Sequence, residues 1–324
     1  MISLPKLKIA HMIPKLPIIQ GGMAVRVSTA PLAAAVSNNG GIGVIAGTGL
    51  SLEQLRNEIR KARELTNGQG YIGVNILFAA RKFTELVKTA MEEKIDFIVS
   101  GAGFSRDIYS WSKEYGVPII SIVSSAKFAK LAERLGAVAV VVEGKEAGGH
   151  LGTDRSVKEI LPEVVGEVSI PVIAAGGIID GNDIADMLDL GANGVQMGTR
   201  FVASEECEAA QSFKEMFIAA TADSPTVLID SPVGLPGRAL KNAFTEKIAG
   251  NVQYGIDRCK ACLKTCSQRF CIFDALERAV DGDVESGLVF SGEYAHRIEK
   301  ILPVKDIMEE LRRQMENRGY CFEN

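Results

Sequence analysis

Short apolar runs recur along the first two thirds of the chain, roughly 20 to 30 residues apart. Each run is continuously apolar and rich in β-branched residues, which is typical of a parallel strand buried on both faces. We expect eight strands, at residues 17–22, 41–46, 72–77, 97–102, 118–123, 139–144, 171–177 and 194–201.

The segments between these runs have the pattern of amphipathic helices. Residues 51–66 and 125–136 are two clear examples, with apolar positions every three or four residues. Eight strand–helix units in series favour a closed (β/α)8 TIM barrel over an open doubly wound sheet. The sequence therefore predicts an α/β protein whose active site lies at the carboxyl ends of the strands.

The strand–helix rhythm stops after residue 203. We predict a barrel domain over residues 1–203 and a smaller, mainly helical lid domain over residues 204–287, which contains a Pro/Gly-rich turn and four clustered cysteines. The C-terminal segment, residues 288–324, has helical spacing over 304–318. We expect this segment to pack back on the barrel.

Composition narrows the class of function. Of the 324 residues, 47% are apolar and 23% charged, which is typical of a soluble globular protein. The net charge is −4, and no basic block stands out, so we expect no nucleic-acid partner. No apolar run is long enough for a membrane span, and the N-terminus lacks the pattern of a signal peptide. These features predict a cytoplasmic protein.

Glycines and polar side chains gather where the first strands are expected to end. Glycine permits tight turns, and it also permits a ligand to approach the backbone closely. Because the carboxyl ends of barrel strands share one rim, we expect a flat ligand to lie against these residues. They are Gln20, Gly21, Gly22, Met23, Ala24 and Asn75.

The last two strands end in loops that could bind an anion. Barrel enzymes commonly hold a phosphate group between the loops after strands seven and eight, where backbone N–H groups are free. One Gly-Gly pair would be weak evidence, but two such loops together favour a phosphate site. The residues concerned are Ala175, Gly176, Gly177, Gln196, Met197, Gly198 and Thr199.

One of only three histidines, His150, lies in a glycine-rich loop after the sixth strand. An imidazole ionises near neutrality, so a histidine beside the pocket can exchange a proton with substrate. A structural histidine bonded to a loop carbonyl is the alternative. We predict that His150 is catalytic and that its neighbours Glu143, Gly148 and Gly149 border the same flat ligand.

Four cysteines crowd into 13 residues of the second domain: Cys259, Cys262, Cys266 and Cys271. Four thiolates can bind zinc or an iron–sulfur cluster, and the nearby cations Arg258, Lys260, Lys264 and Arg269 would offset their charge. The spacing matches neither a ferredoxin run nor a paired zinc ribbon. Reduced thiols on a helix are the alternative, because Cys262 and Cys266 are four residues apart.

Taken together, the motifs PIIQGGMA, GVN, EGKEAGGHLG, PVIAAGGI and GVQMGTRF resemble the nitronate monooxygenase (2-nitropropane dioxygenase) family. That family includes the flavin-dependent enoyl-acyl-carrier-protein reductases. Gly237, Arg238 and Asn242 extend the resemblance into the second domain. The resemblance implies FMN as cofactor, with Gly22, Met23 and Asn75 beside the flavin ring, the glycine loops on the phosphate and His150 in catalysis.

The resemblance leaves two chemistries open. A nitronate monooxygenase oxidises an alkyl nitronate with O2 to a carbonyl compound and nitrite, and this is the leading interpretation. An enoyl reductase instead uses NAD(P)H as reductant for an enoyl thioester, with acyl carrier protein as a partner. Leu151, an aliphatic residue after His150, favours the reductase, whereas the cysteine cluster is foreign to it.

Two other interpretations of the sequence fit these motifs less well. One is a flavin-free barrel that acts on a phosphorylated metabolite, and the other is a metal-responsive interaction protein. A homodimer is compatible with either chemistry.

Overall fold

The computed structural model describes residues 2–101, 103–223, 226–249 and 259–322. In chain order, its strands are β1 (Ile2–Ser3), β2 (Ile18–Gln20), β3 (Ile42–Ala46), β4 (Tyr71–Leu77), β5 (Phe97–Gly101), β6 (Ile119–Val123), β7 (Ala139–Glu143), β8 (Gly149–His150), β9 (Val172–Ala175), β10 (Gly194–Met197), β11 (Val227–Asp230), β12 (Pro236–Ala239) and β13 (Tyr320–Cys321).

The helices surround the barrel and form much of the second domain. They are α1 (Ala30–Asn38), α2 (Leu52–Leu65), α3 (Phe83–Glu92), α4 (Asp107–Tyr115), α5 (Ala126–Leu135), α6 (Val157–Val165), α7 (Gly181–Asp189), α8 (Thr199–Val202), α9 (Gln211–Ile218), α10 (Ala243–Ala249), α11 (Ile272–Val280) and α12 (Val304–Asn317), with a 3-10 turn at Ala295–Arg297.

Eight strands close into a parallel barrel in the order β10-β2-β3-β4-β5-β6-β7-β9. The predicted TIM barrel is therefore confirmed, and each of its strands overlaps one of the eight apolar runs. The eighth strand is shorter than predicted: it ends at Met197, and α8 begins at Thr199, directly after Gly198. Residue 102, at the end of the predicted fourth strand, lies outside the described residues.

Two apolar layers hold the barrel together. Inside it, side chains such as Ile19, Val44 and Phe97 pack with Leu7 and Met12 of the N-terminal segment. Outside it, the opposite faces of the strands pack against the helices. Strands buried on both faces need apolar residues at consecutive positions, which explains why the sequence runs do not alternate.

Local signals in the sequence fix where the helices begin. Ser51 and Gln54 form a reciprocal capping box at the start of α2, and Asp180 and Asp183 form another at the start of α7. Such caps satisfy N–H groups that the first turn of a helix leaves unpaired. No helix in the described ranges is both long and apolar enough to cross a membrane.

The second domain combines α9, α10 and α11 with a small antiparallel sheet in the order β11-β12-β8. Its strand β8 comes from the barrel loop after β7, so the sheet spans the two predicted domains. In the C-terminal segment, α12 lies against α7 and α1. Gln314 of α12 accepts a hydrogen bond from the N–H of Gly181 at 2.7 Å.

Close packing of α1 on the barrel provides a test of this fold. A Cβ atom at Gly43 of β3 would overlap the backbone of Ala33 in α1. We expect Gly43→Ala to lower the free energy of unfolding by about 3 kcal/mol or more, because neither backbone segment can move aside easily. Urea titration followed by circular dichroism measures the change.

Gly166→Ala is the matched control, because a Cβ there meets only the carbonyls of Pro162 and Glu163, at 3.6 and 3.9 Å. We expect a change within about 0.5 kcal/mol for this variant. Equal destabilisation by the two substitutions would contradict the tight contact between α1 and β3.

Candidate active site

The carboxyl ends of the barrel strands open into a cavity of about 560 Å³. Every residue that the sequence placed in the cofactor or catalytic site lines this cavity, with one exception. Those that line it are Gly21, Gly22, Met23, Ala24, Asn75, Glu143, Gly148, Gly149, His150, Ala175, Gly176, Gly177, Gln196, Met197, Gly198 and Thr199.

The exception is Gln20, which is fully buried beneath the cavity wall. Its amide nitrogen donates to Ser28 Oγ at 2.8 Å and to the carbonyl of Val44, while its amide oxygen accepts from the N–H of Val44. Ser28 Oγ in turn accepts from the N–H of Met23. Gln20 therefore shapes the loop after β2 and does not line the cavity.

At two positions of the cavity wall there is room only for glycine. A Cβ atom at Gly22 would overlap the side chain of Asn75, and one at Gly148 would lie 2.6 Å from the N–H nitrogen of Gly292. These positions bring two backbone segments and an amide side chain to the cavity surface. A planar ligand can therefore lie directly against the backbone.

The loops after β9 and β10 present free backbone donors. Gly176 and Gly177 have φ angles of 103° and 72°, which only glycine adopts readily. In the described part of the chain, the N–H groups of Gly176, Gly177, Gly198 and Thr199 have no hydrogen-bond acceptor. Unpaired N–H groups at the wall of a cavity can bind an anion.

His150 stands in β8, and three contacts hold it. His150 pairs with Gly237 of β12 in the strand register, and its Nε2 lies 2.8 Å from Ser231 Oγ. Its ring contacts the Phe290 ring edge to face, with the two ring centroids 5.1 Å apart. Burial lowers the pKa of His150 to about 4. The imidazole is therefore neutral at physiological pH. His11 and His296 do not line the cavity.

Glu143 ends β7 and faces the same cavity. Burial raises the pKa of its carboxyl group to about 7. Its side chain has no hydrogen-bond partner among the described residues. A buried carboxyl group without a partner is stable mainly in its neutral form, in which it can donate a hydrogen bond.

The motif GRALKN joins the second domain to the barrel. The Arg238 guanidinium donates to the carbonyl of Lys145 at 2.9 Å and to Thr226 Oγ1 at 2.8 Å. The Asn242 amide donates to the carbonyl of Gly287 at 2.8 Å. These residues position β12 beside His150 and do not line the cavity.

Sequence reasoning missed the part of the cavity that residues after 203 provide. Ser231, Phe290 and Tyr294 lie 80 or more positions from His150 in the sequence, so no local pattern links them to it. The signals in this region were the resemblance at Gly237, Arg238 and Asn242 and the cysteine segment, of which Lys260 and Cys262 line the cavity. The cavity residues from this part of the chain include Lys260, Ala261, Cys262, Leu263, Ile272, Phe273, Leu276, Leu288, Phe290, Ser291, Gly292 and Tyr294.

The cysteine segment contacts the barrel at the edge of the cavity. The carbonyl of Cys262 accepts from the N–H of Arg81, and Leu263 pairs with Ala80. The segment is not helical before α11 begins at Ile272, so the prediction of thiols on a helix is wrong. Its backbone instead pairs with the loop after β4.

The predicted zinc or iron–sulfur site has no support from the described residues. No group of three or more His, Cys, Asp or Glu side chains within them is arranged to hold a metal ion. Cys259 is exposed, whereas Cys262 and Cys266 pack against the apolar core of the second domain. Of the cations predicted to offset thiolate charge, Lys260 pairs with Glu277, Lys264 lies over the Phe78 ring, and Arg258 is outside the described residues.

The residues present fit a flavin mononucleotide. The phosphate would be held by the free N–H groups of the two glycine loops, and the ring system would lie on the backbone near Gly22 and Asn75. A TIM barrel whose strand ends carry glycine loops with unpaired N–H groups and a neutral, half-buried histidine has the features expected of a flavin-dependent oxidoreductase.

Comparison with known proteins agrees with this class. A family model described as nitronate monooxygenase matches residues 6–94 and 72–314. The chain therefore belongs to the nitronate monooxygenase family. The enzymes named below are oxidoreductases, and this chain is an enzyme of the same family.

Three proteins illustrate the range of the family. FabK of Thermotoga maritima is 36% identical, with 94% of each chain covered and a TM-score of 0.85. A nitroalkane oxidase of Streptomyces ansochromogenes is 25% identical, with 94% of this chain and 96% of the other covered and a TM-score of 0.80.

The third is the (3aS,4S,5R,7aS)-5-hydroxy-7a-methyl-1-oxo-octahydro-1H-indene-4-carboxyl-CoA dehydrogenase of Mycobacterium tuberculosis, which is 33% identical over 235 residues. That match covers 72% of this chain and 65% of the relative's length.

The two buried titratable groups should make opposite contributions to stability. The pKa of Glu143 is raised to about 7, so its contribution is present at low pH and is lost as pH rises from about 4.5 to 7. The pKa of His150 is lowered to about 4, so its contribution is present above about 6.5 and is lost as pH falls toward 4.

These contributions nearly cancel in the wild type, and single variants should reveal each one. We expect the free energy of unfolding of Glu143→Gln apoprotein to rise by about 3 kcal/mol between pH 4 and 6.5, and that of His150→Gln to fall by about as much between pH 4.5 and 7. Urea titrations across this range measure both, with the exposed-site variant His11→Gln as control. Parallel profiles for the two variants would contradict these assignments.

Proposed function

We propose that the protein is an FMN-dependent reductase that saturates an enoyl thioester at the expense of NAD(P)H. The observation that carries this proposal is that the second domain contributes an apolar wall to the cavity. Ile272, Phe273 and Leu276 are among the side chains that form this wall. An acyl chain requires such a wall, whereas a small nitronate does not.

Two other observations support a thioester substrate. The cations Arg81, Lys82 and Lys260 stand at the edge of the same cavity, where they can attract the phosphate groups of a pantetheine carrier. FabK is similar to this chain over nearly its whole length, and the M. tuberculosis relative is named for a CoA thioester. The carrier is either CoA or acyl carrier protein.

The chemistry that FMN supplies when bound is two-electron hydride transfer, first from the nicotinamide and then to the β-carbon of the alkene. The glycine loops hold the phosphate and thereby fix the position of the ring. His150 forms a hydrogen bond to the thioester carbonyl and stabilises the negative charge that develops on its oxygen. The α-carbon takes a proton from water, which completes the saturated thioester.

Nitronate monooxygenase is the second candidate. The family model that matches most of the chain carries that description, and the nitroalkane oxidase covers 94% of the chain. In that reaction the nitronate is oxidised and O2 completes its conversion to a carbonyl compound and nitrite. The glycine cradle and the neutral histidine are compatible with both reactions.

The phosphate cradle can be tested with an isosteric pair. Gly198 immediately precedes α8 and takes the N-cap position, where both Asp and Asn are well tolerated. We expect Gly198→Asp to raise the Kd for FMN at least 100-fold, because its carboxylate would repel the phosphate, and Gly198→Asn to raise the Kd much less. Fluorescence titration of apoprotein with FMN measures both, and circular dichroism monitors folding. Equal Kd values for the two variants would contradict a phosphate site here.

Anaerobic spectra of the holoenzyme distinguish the two reactions. We expect NADH or NADPH to bleach the flavin band within seconds and a crotonyl or longer enoyl-CoA to restore it. Bleaching by a nitronate alone, with nitrite formed when air is admitted, would instead identify the oxygenase.

The same spectra of His150→Ala test whether His150 acts in the reaction with the enoyl thioester. It should retain FMN and be bleached normally by the nicotinamide, but it should be reoxidised by the enoyl thioester at least 100-fold more slowly, because the carbonyl loses its hydrogen-bond donor. Unchanged reoxidation would show that His150 has a structural role only.

A further inference from the structure

The Ser231 hydroxyl lies in the tight turn between β11 and β12, in the second domain. Ser231 is only 4% exposed, and its Oγ is 2.8 Å from His150 Nε2. The turn is closed by a hydrogen bond from the N–H of Gly234 to the carbonyl of Ser231 at 3.0 Å. A second bond, from the N–H of Ser267 to the carbonyl of Pro232, ties the turn to the cysteine segment. The hydroxyl is therefore held in place beside the imidazole.

The direction of the Ser231–His150 hydrogen bond follows from the other partner of the hydroxyl. Ser231 Oγ already accepts a hydrogen bond from the N–H of Val233 at 3.3 Å. A buried hydroxyl group also needs an acceptor for its own proton, because leaving it unpaired costs free energy. Within the described chain, His150 Nε2 is the only acceptor in contact with it.

We infer that Ser231 donates its O–H to Nε2 of His150 and thereby holds the imidazole in the tautomer that carries its proton on Nδ1. Nδ1 has no partner in the described residues, and the side chain lines the cavity. His150 therefore presents an N–H donor to substrate and has no lone pair free. Ser231 is a positioning residue for this donor.

This assignment rests on the proposed function, and it refines that function. A fixed Nδ1–H can form a hydrogen bond to the carbonyl oxygen of a thioester. It cannot remove the α-proton of a neutral nitroalkane, because both ring nitrogens are already committed. The hydroxyl of the second domain thus selects donor chemistry over base chemistry at His150.

The tautomer can be read directly by nitrogen-15 NMR of histidine-labelled holoenzyme. The chain has only three histidines, and the His150→Gln spectrum identifies the signals of His150. We expect a protonated, pyrrole-type Nδ1 and an unprotonated, pyridine-type Nε2 at neutral pH. In Ser231→Ala this fixed pattern should be lost, and Ser231→Thr, which keeps the hydroxyl, should restore it. A protonated Nε2 in the wild type, or an unchanged spectrum in Ser231→Ala, would overturn the inference.

The kinetic readout uses the two half-reactions separately. We expect Ser231→Ala to slow reoxidation by enoyl-CoA roughly tenfold, equivalent to about 1.4 kcal/mol, and to leave both reduction by NAD(P)H and the Kd for FMN within twofold of wild type. Ser231→Thr should recover most of the rate. Ser212→Ala should leave both half-reactions unchanged, because among the described residues that hydroxyl bonds only the carbonyl of Gly282, in the same domain.

Equal slowing of both half-reactions would contradict a positioning role and indicate general distortion of the site. The inference and the proposed function fail in different ways. If no enoyl thioester reoxidises the flavin but a nitronate reduces it, the proposed function is wrong, and the NMR spectrum still decides the tautomer.

Discussion

The short strand pairing between β8 and β12 is the constraint on which the active site depends. It places His150 opposite Gly237 and brings the turn at Ser231 to the imidazole ring. A Cβ atom at Gly237 would lie 2.9 Å from the ring of Phe290, so the strand, the aromatic ring and the histidine form one packed layer. Arg238 fastens this layer to the barrel through the carbonyl of Lys145. The pairing thus fixes the end of the loop after β7, where His150 stands.

The candidate phosphate site depends on a different constraint, which is that backbone N–H groups must face the cavity without an acceptor in the protein. At Gly176 and Gly177 the chain takes left-handed conformations that leave N–H groups unpaired and exposed to the cavity. A phosphate group bound there would accept hydrogen bonds from those donors.

Periodicity in the sequence was sufficient for the barrel, because a strand buried on both faces needs consecutive apolar residues, and eight such runs recur at regular spacing. It also located the rim, since strand ends in a barrel share one face. Of the residues predicted for the cofactor or catalytic site, only Gln20 does not line the cavity: its side-chain amide forms hydrogen bonds with Ser28 and Val44 inside the wall. A polar residue at a strand end serves equally well as a ligand group or as an internal hydrogen-bond partner, and sequence does not distinguish the two.

The second domain was far less predictable. Its cavity residues come from separate segments, and long-range packing brings them to the barrel. The cysteine cluster shows the same limit, because four thiols close in sequence lie at different depths when the backbone between them pairs with another loop. Spacing constrains a ligand set only when the intervening chain is free to fold around the ion.

Because the second domain supplies both the apolar wall and the hydroxyl that contacts His150, substrate range and reactivity are coupled in this architecture. An exchange of the second domain would replace both the wall residues Ile272, Phe273 and Leu276 and the turn that contains Ser231, so it would alter which molecules enter and also change the hydrogen bonding of the imidazole. Divergence from an ancestral enzyme of this type can therefore switch reaction and substrate in one event, while the barrel and its phosphate loops stay as they were.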